Sequence, residues 1–250
     1  MPPVPKPSAA SKRGRTLVIA IAVAIAIAAA LVAASILTRE NGGDAATTET
    51  TSTGTTTDAA NPTLAVVAGI RQTGTVLGNP EATVRLLQFE DLQCPICKKY
   101  TDNAFPAIVD EYVRPGLVKV DFRGLAFLGP DSEKALRIVV ASGYQNKLWE
   151  VAELFYANQG EENSGWVTDS LIDEILAEVP GLDAAKVKTD AKSAAVTKEI
   201  AAIQAEATAL KVPGTPWFFV GIGLNPPYEI RPTTLEPSAF RFALDDALKG

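Results

Sequence analysis

The stretch Asp91-Leu92-Gln93-Cys94-Pro95-Ile96-Cys97-Lys98-Lys99-Tyr100 holds the only two cysteines of the chain. The apolar, β-branched run from Thr83 to Phe89 leads straight into it and predicts a buried strand. Pro95 then marks the first turn of a helix, where its missing N–H costs nothing. Cys94 is thereby placed at a helix N-terminus, facing unpaired backbone N–H groups and the positive end of the macrodipole. That setting favours the thiolate, which is the nucleophilic form. Cys97, one turn on, lies on the same face and within reach of a disulfide to Cys94. Strand, cysteine pair and helix predict a redox site.

Two other uses of the pair are weaker. A structural cross-link around so short a loop removes only about 2 kcal/mol of unfolded-state entropy, against nearly 5 for a long one. It would also tie one helical turn to itself. Zinc needs four ligands, and two thiolates in a chain without histidine supply half a site. No metal and no cofactor is expected.

Composition bounds the rest. A chain of 250 residues, 47% of them hydrophobic, predicts one sizeable domain with attachments. Two cysteines make no disulfide framework, so the fold must stand on packing. Without histidine, proton transfer falls to carboxylates, thiols, lysines or water. Met1 to Glu40 carries five basic residues against one acidic, so the remainder is at −10 within a total of −6. So acidic a globular part would repel phosphates, which sets nucleic acid aside.

From Leu17 to Leu37 there is no charge, and Ser35 is the only polar side chain. At about 1.5 Å per residue the run reaches roughly 30 Å, the thickness of a hydrocarbon core. Lys6, Lys12, Arg13 and Arg15 precede it, which predicts a cytoplasmic N-terminus and an extracytoplasmic remainder. The competing reading is a signal peptide cut near Ala33-Ala34-Ser35, although its apolar core would be shorter, about 7–15 residues. The expected layout is a cytoplasmic tail over 1–15, a single transmembrane helix over 16–38 and a Thr-rich flexible tether over 39–63. A domain over 64–250 follows.

Within that domain, Thr75 to Leu77 is a short strand candidate closed by Gly78-Asn79-Pro80. The helix opened by Cys94 should break at Pro106, resume, and stop at Arg114-Pro115-Gly116. Leu117 to Arg123 alternates as a half-buried strand and completes a parallel strand–helix–strand unit. Helical spacing then runs for most of 124–210, with Asp131 or Ser132, Ser170 with Asp173, and Asp183 as candidate caps. Trp217 to Val220 and Tyr228 to Ile230 read as a hairpin, and Glu236 to Lys249 as a closing helix.

A second stretch, Val212-Pro213-Gly214-Thr215-Pro216-Trp217-Phe218, bears on the first. Pro216 cannot donate to a sheet, so it must stand at the start of its strand. It is either a turn proline and no more, or a cis-proline whose exposed backbone pairs with an extended peptide beside the cysteines.

Phe89 to Tyr100 with Cys94-Pro95-Ile96-Cys97, then Phe105-Pro106, then Gly214-Thr215-Pro216 ahead of two phenylalanines resemble the DsbA-like thioredoxin-fold oxidoreductases. The likeness covers about Val76 to the C-terminus. It implies an α/β thioredoxin fold with an all-helical insertion over about 124–210. It further implies that Cys94 is the exposed nucleophile, that Cys97 is the buried thiol resolving the mixed disulfide, and that Thr215-Pro216 is a cis-proline loop holding the client. Pro95 and Ile96 would tune the redox poise. The chain departs from the family twice. Strong oxidants carry histidine where Ile96 stands; the helix terminus alone supplies at most ~2 kcal/mol, enough to lower a thiol from about 8.5 to about 7. Lys98, Lys99 or Thr215 would have to supply more. The buried carboxylate usual six residues before the first cysteine is here Gln88, which leaves Glu90 or Asp91 as proton relay.

The resemblance implies a membrane-anchored, extracytoplasmic dithiol oxidase, monomeric, acting on exported proteins as they fold. With no third cysteine, its recharging falls to a quinone-linked membrane partner, DsbB-like or of the vitamin K epoxide reductase type. A reductase or isomerase of the same fold is the alternative, as is a tethered peptide-binding module with idle cysteines.

Overall fold

The computed structural model describes residues 61–250. The transmembrane helix expected at 16–38, and the tether up to its last residues, lie outside them. Among the described residues no helix is long and apolar enough to cross a membrane.

Six strands form one sheet: β1 (Gln72–Thr73), β2 (Val76–Leu77), β3 (Val84–Glu90), β4 (Val118–Gly124), β5 (Trp217–Ile222) and β6 (Tyr228–Ile230). Their spatial order is β1-β2-β4-β3-β5-β6. β3, the strand that delivers the cysteine motif, lies at the centre. It runs parallel to β4 and antiparallel to β5, with Leu86 between Val120 and Val220. β1 was not anticipated, because two residues carry no alternation to read. It exists because Gly74, at φ 57°, turns the chain back onto β2.

The helices are α1 (Pro62–Ala65), α2 (Pro95–Asn103), α3 (Phe105–Ile108), α4 (Pro130–Gly143), α5 (Leu148–Ala157), α6 (Asp169–Ala177), α7 (Ala184–Asp190), α8 (Ala194–Ala209) and α9 (Pro237–Ala247). The expected break falls at Ala104, so that Pro106 occupies the first turn of α3, where proline is tolerated. A π-helical turn, Val109–Val113, continues α3 and closes with the Arg114 N–H on the Val109 carbonyl. The helices α4 to α8 are the insertion, lying between β4 and β5 as expected.

One face of the sheet carries the main core, in which Tyr100 packs against Phe105, Phe218 and Phe240, and Phe105 stacks on Trp149 at 5.3 Å. The other face is covered by α8, whose Ile203 and Ala207 meet Leu87, Phe89, Leu125 and Phe219. Fully burying each large side chain here contributes roughly 2–3 kcal/mol. This second layer corrects the half-buried reading of β4. Asp121 is 1% exposed, and its charge is met by Arg123 at 2.8 Å, Arg85 at 3.5 Å and the Thr75 hydroxyl at 2.7 Å. At the end of β4, a Cβ on Gly124 would run into the Leu136 side chain of α4, so glycine lets the insertion start close against the sheet.

Two expected caps are corrected. α4 begins after Gly129, and Asp131 and Ser132 sit inside its first turn, where their side chains serve the loop before Cys94 and the loop at Gly165. α6 is capped by Thr168, whose hydroxyl accepts from the Leu171 N–H, rather than by Ser170 with Asp173. Thr168 stands directly before the helical run, which puts its oxygen within reach of that N–H. Asp183 caps α7 as expected, accepting from the Lys186 N–H.

Candidate functional site

Cys94 is the N-cap residue of α2, and its Sγ accepts from the Cys97 N–H at 3.4 Å. The thiol in turn donates to the Thr215 carbonyl at 3.4 Å. The Thr215–Pro216 peptide is cis. Both cysteines are free. Cys97 is fully buried and Cys94 only 6% exposed, which corrects the expectation of an exposed nucleophile. The loop before β5 covers the sulfur, and the open members of the motif are Pro95 and Ile96, the latter 51% exposed.

The two thiols are driven apart in acidity. Cys94 is lowered to about 6, chiefly by the hydrogen bond from the Cys97 thiol. Burial opposes this, while the Cys97 N–H, the Thr215 hydroxyl and the Ile96 N–H add to it. Neighbouring thiol and Thr215 thus take the shift beyond what a helix terminus supplies. Lys98 is engaged with Asp102 at 3.0 Å rather than with the sulfur. Cys97 is pushed up by burial, then by its bond to Cys94 and the nearby Glu90 charge.

Glu90 and Asp91 take different places. Glu90 is 1% exposed, and burial raises its carboxyl to about 8. Its Oε2 accepts from the Tyr156 hydroxyl at 2.6 Å, and its Oε1 is buried without a partner. Cys94 and Cys97 are both close enough for charge on one group to disfavour charge on another. Gln88, two residues earlier on the same face of β3, accepts from the Tyr100 hydroxyl at 2.9 Å. Asp91 is fully committed to structure. Its Oδ1 accepts from the Gln93 N–H and the Ser132 hydroxyl, and its Oδ2 from the N–H groups of Phe127 and Leu128.

Residues of the insertion complete the loop ahead of Cys94. The Gln159 side chain donates to the carbonyls of Leu92 and Cys94, and Gln93 is held between Ser132 and the Asn163 N–H. Gln159 and Asn163 are not singled out by the sequence, nor is Glu153, a buried acid on α5. Its signal was present: apart from Glu150 and Glu153, Leu148 to Ala157 is apolar, which marks a helix buried over most of its surface.

Beside the cysteines a groove of about 570 Å³ is lined by Ile96, Thr215, Pro216, Trp217, Arg231 and Leu235. The Arg231 guanidinium lies over the Trp217 ring at 5.6 Å. Among the described residues no group of His, Cys, Asp and Glu is placed to hold a metal ion. An acidic thiol, a basic buried one and a cis-proline strand start on this sheet define a DsbA-like thioredoxin-fold site.

The comparisons agree. The thioredoxin family model matches residues 71–223, and the chain belongs to that family. The probable disulfide bond formation protein D of Bacillus cereus is 29% identical over 157 residues, 61% of this chain and 73% of its own. A thioredoxin-like oxidoreductase from Silicibacter pomeroyi is 30% identical, with TM-score 0.54 over 70% of this chain and 92% of its own. Oxidised BdbD from Bacillus subtilis, at 20% identity, shares the fold with TM-score 0.61 over 72% of this chain and 97% of its own.

Proposed function

We propose that this thiol:disulfide oxidoreductase works as a dithiol oxidase outside the cytoplasm, passing a Cys94–Cys97 disulfide to exported proteins. The observation that carries the reading is Cys94 at the N-terminus of α2, its Sγ accepting from the Cys97 N–H at 3.4 Å in a setting that lowers the thiol to about 6. A client thiolate attacks Cys94 Sγ, the Cys94–Cys97 bond breaks, and Cys97 takes a proton as it leaves. The second client thiolate then attacks the client sulfur of the mixed disulfide and expels Cys94 as a thiolate. The client loses two electrons and the protein gains them. A disulfide whose reduced form is stabilised is a stronger oxidant, which favours this direction.

Glu90 is the proton donor in this scheme, and the groove at Thr215–Pro216 holds the client strand. The uncharged run over 16–38 anchors the domain to the membrane, with the N-terminus inside. A quinone-linked membrane partner recharges the pair. The relatives named for disulfide bond formation support the oxidase direction.

Equilibration with glutathione redox buffers tests the direction. A potential well above thioredoxin's roughly −270 mV is expected, and a value near it would make the protein a reductase. Cys94→Ser abolishes turnover in this scheme, whereas a peptide-binding module would keep its function. Resistance of the full chain to extraction from membranes by salt, with an intact N-terminus, checks the anchor.

A further inference from the structure

Cys97 must gain a proton when it leaves the disulfide and lose one when it re-forms it, yet it is fully buried. The way past Cys94 is closed by Thr215, and a bound client closes it further. On the inner side Glu90 is reached from α5, where Tyr156 grips one carboxylate oxygen and leaves the other unpartnered. One turn back on that helix is Glu153, 6% exposed and without a hydrogen bond or ion pair of its own among the described residues. The charged groups it faces are Glu90 on β3 and Lys98 and Asp102 on α2. It also acts on the buried phenol of Tyr100, itself on α2. Lys98 and Asp102 form a partly exposed i,i+4 pair, 32% and 52% accessible at their side chains.

We propose that Glu153 is the outer carrier of a proton path running from Cys97 through Glu90 and Glu153 to solvent at the Lys98–Asp102 edge of α2, apart from the client groove. This rests on the exchange chemistry proposed above and adds the route by which its proton moves. The seam between α2 and α5 stays available while a client fills the groove, so proton and client do not compete for one entrance. Glu153 is a positioning and relay group: it touches neither sulfur.

The test follows the reduced full chain reacting with glutathione disulfide, with acid quenching and intact mass to count each species. First, Cys94 thiolate attacks glutathione disulfide, forming the mixed disulfide and releasing one glutathione thiolate. Then Cys97 gives up its proton and attacks Cys94 Sγ, releasing the second glutathione and forming Cys94–Cys97. Burial pushes the Glu153 carboxyl up, and Glu153→Gln keeps the size of the side chain while removing the proton it can give and take. In Glu153→Gln the first step should keep its rate, while the second slows by about tenfold or more between pH 6 and 8. Glu153→Asp, or added imidazole as a small proton carrier, should restore part of that rate. A second step within about twofold of wild type overturns the proposal, as does a slowing that neither Glu153→Asp nor imidazole relieves. If Glu153→Gln does not fold, the surface double variant Lys98→Met with Asp102→Asn tests the outer end by the same criteria. A wild-type chain that forms no mixed disulfide would sink the exchange chemistry itself, a different result from a path that proves idle.

Discussion

The Cys94 Sγ lies 3.4 Å from the backbone carbonyl oxygen of Thr215, across 121 residues of chain. Thr215 acts on the sulfur in two opposed ways. Its carbonyl accepts from the thiol and so favours the protonated form, while its hydroxyl lowers the thiol's pKa. Thr215→Val removes only the second. The thiolate absorbance midpoint should rise from about 6 by less than about one pH unit, because the Cys97 thiol and N–H remain. A midpoint that does not move would show that the hydroxyl is spent elsewhere.

Ile96 is half exposed at the mouth of the helix N-terminus. Ile96→His places a cationic donor within a turn of the Cys94 thiolate and should lower its midpoint further. One pKa unit is worth about 1.4 kcal/mol, so the potential should rise by roughly 20–30 mV in glutathione equilibration. A fall in potential would contradict the electrostatic account.

Glu90 makes stability depend on pH with a definite sign. Its carboxyl is raised from 4.5 to about 8, so between those values the folded chain binds a proton that the unfolded chain has released. Stability is therefore full below about pH 4.5 and declines as pH rises toward 8. Glu90→Gln should remove that decline. In the oxidised protein, where the cysteines do not titrate, the variant should be the more stable at pH 8 by on the order of 3 kcal/mol. Urea melts at pH 5 and pH 8 would reveal the difference, and parallel pH profiles for both proteins would refute it.

Asp91→Ala strands four donors that now converge on one carboxylate. Hydrogen bonds to a charged acceptor are worth about 1.5–3 kcal/mol each, but relaxation recovers part, so a loss of about 3–5 kcal/mol is expected. Because these bonds pin the loop ahead of Cys94 to the start of the insertion, glutathione exchange should slow as well. Chemical denaturation and the rate of mixed-disulfide formation check the two effects separately.

Much of the frame was legible along the chain. The strand from Thr83, the break near Pro106, the hairpin ending at Ile230 and the last helix follow from periodicity and proline placement, and each lies within two residues of its expected bounds. Cys94 at a helix start was equally legible, since Pro95 and the pattern after it settle that locally. The caps expected at Asp131 and Ser132 failed because those side chains had a better distant use. Ser132 serves Asp91, 41 residues away, and nothing near it in sequence signals that bond.

What the chain order alone determined was therefore the cysteine pair's position at the end of a central strand, because backbone dipoles and proline geometry act within one turn. Tertiary structure decided the chemistry around it: that Cys94 is covered by the loop at Thr215, that Asp91 is a strut, and that Glu90, held by Tyr156, is buried close to the sulfurs. Burial is set by all the atoms surrounding a group, and here they come from an insertion and a loop before β5 that reach the site only after the chain has folded back.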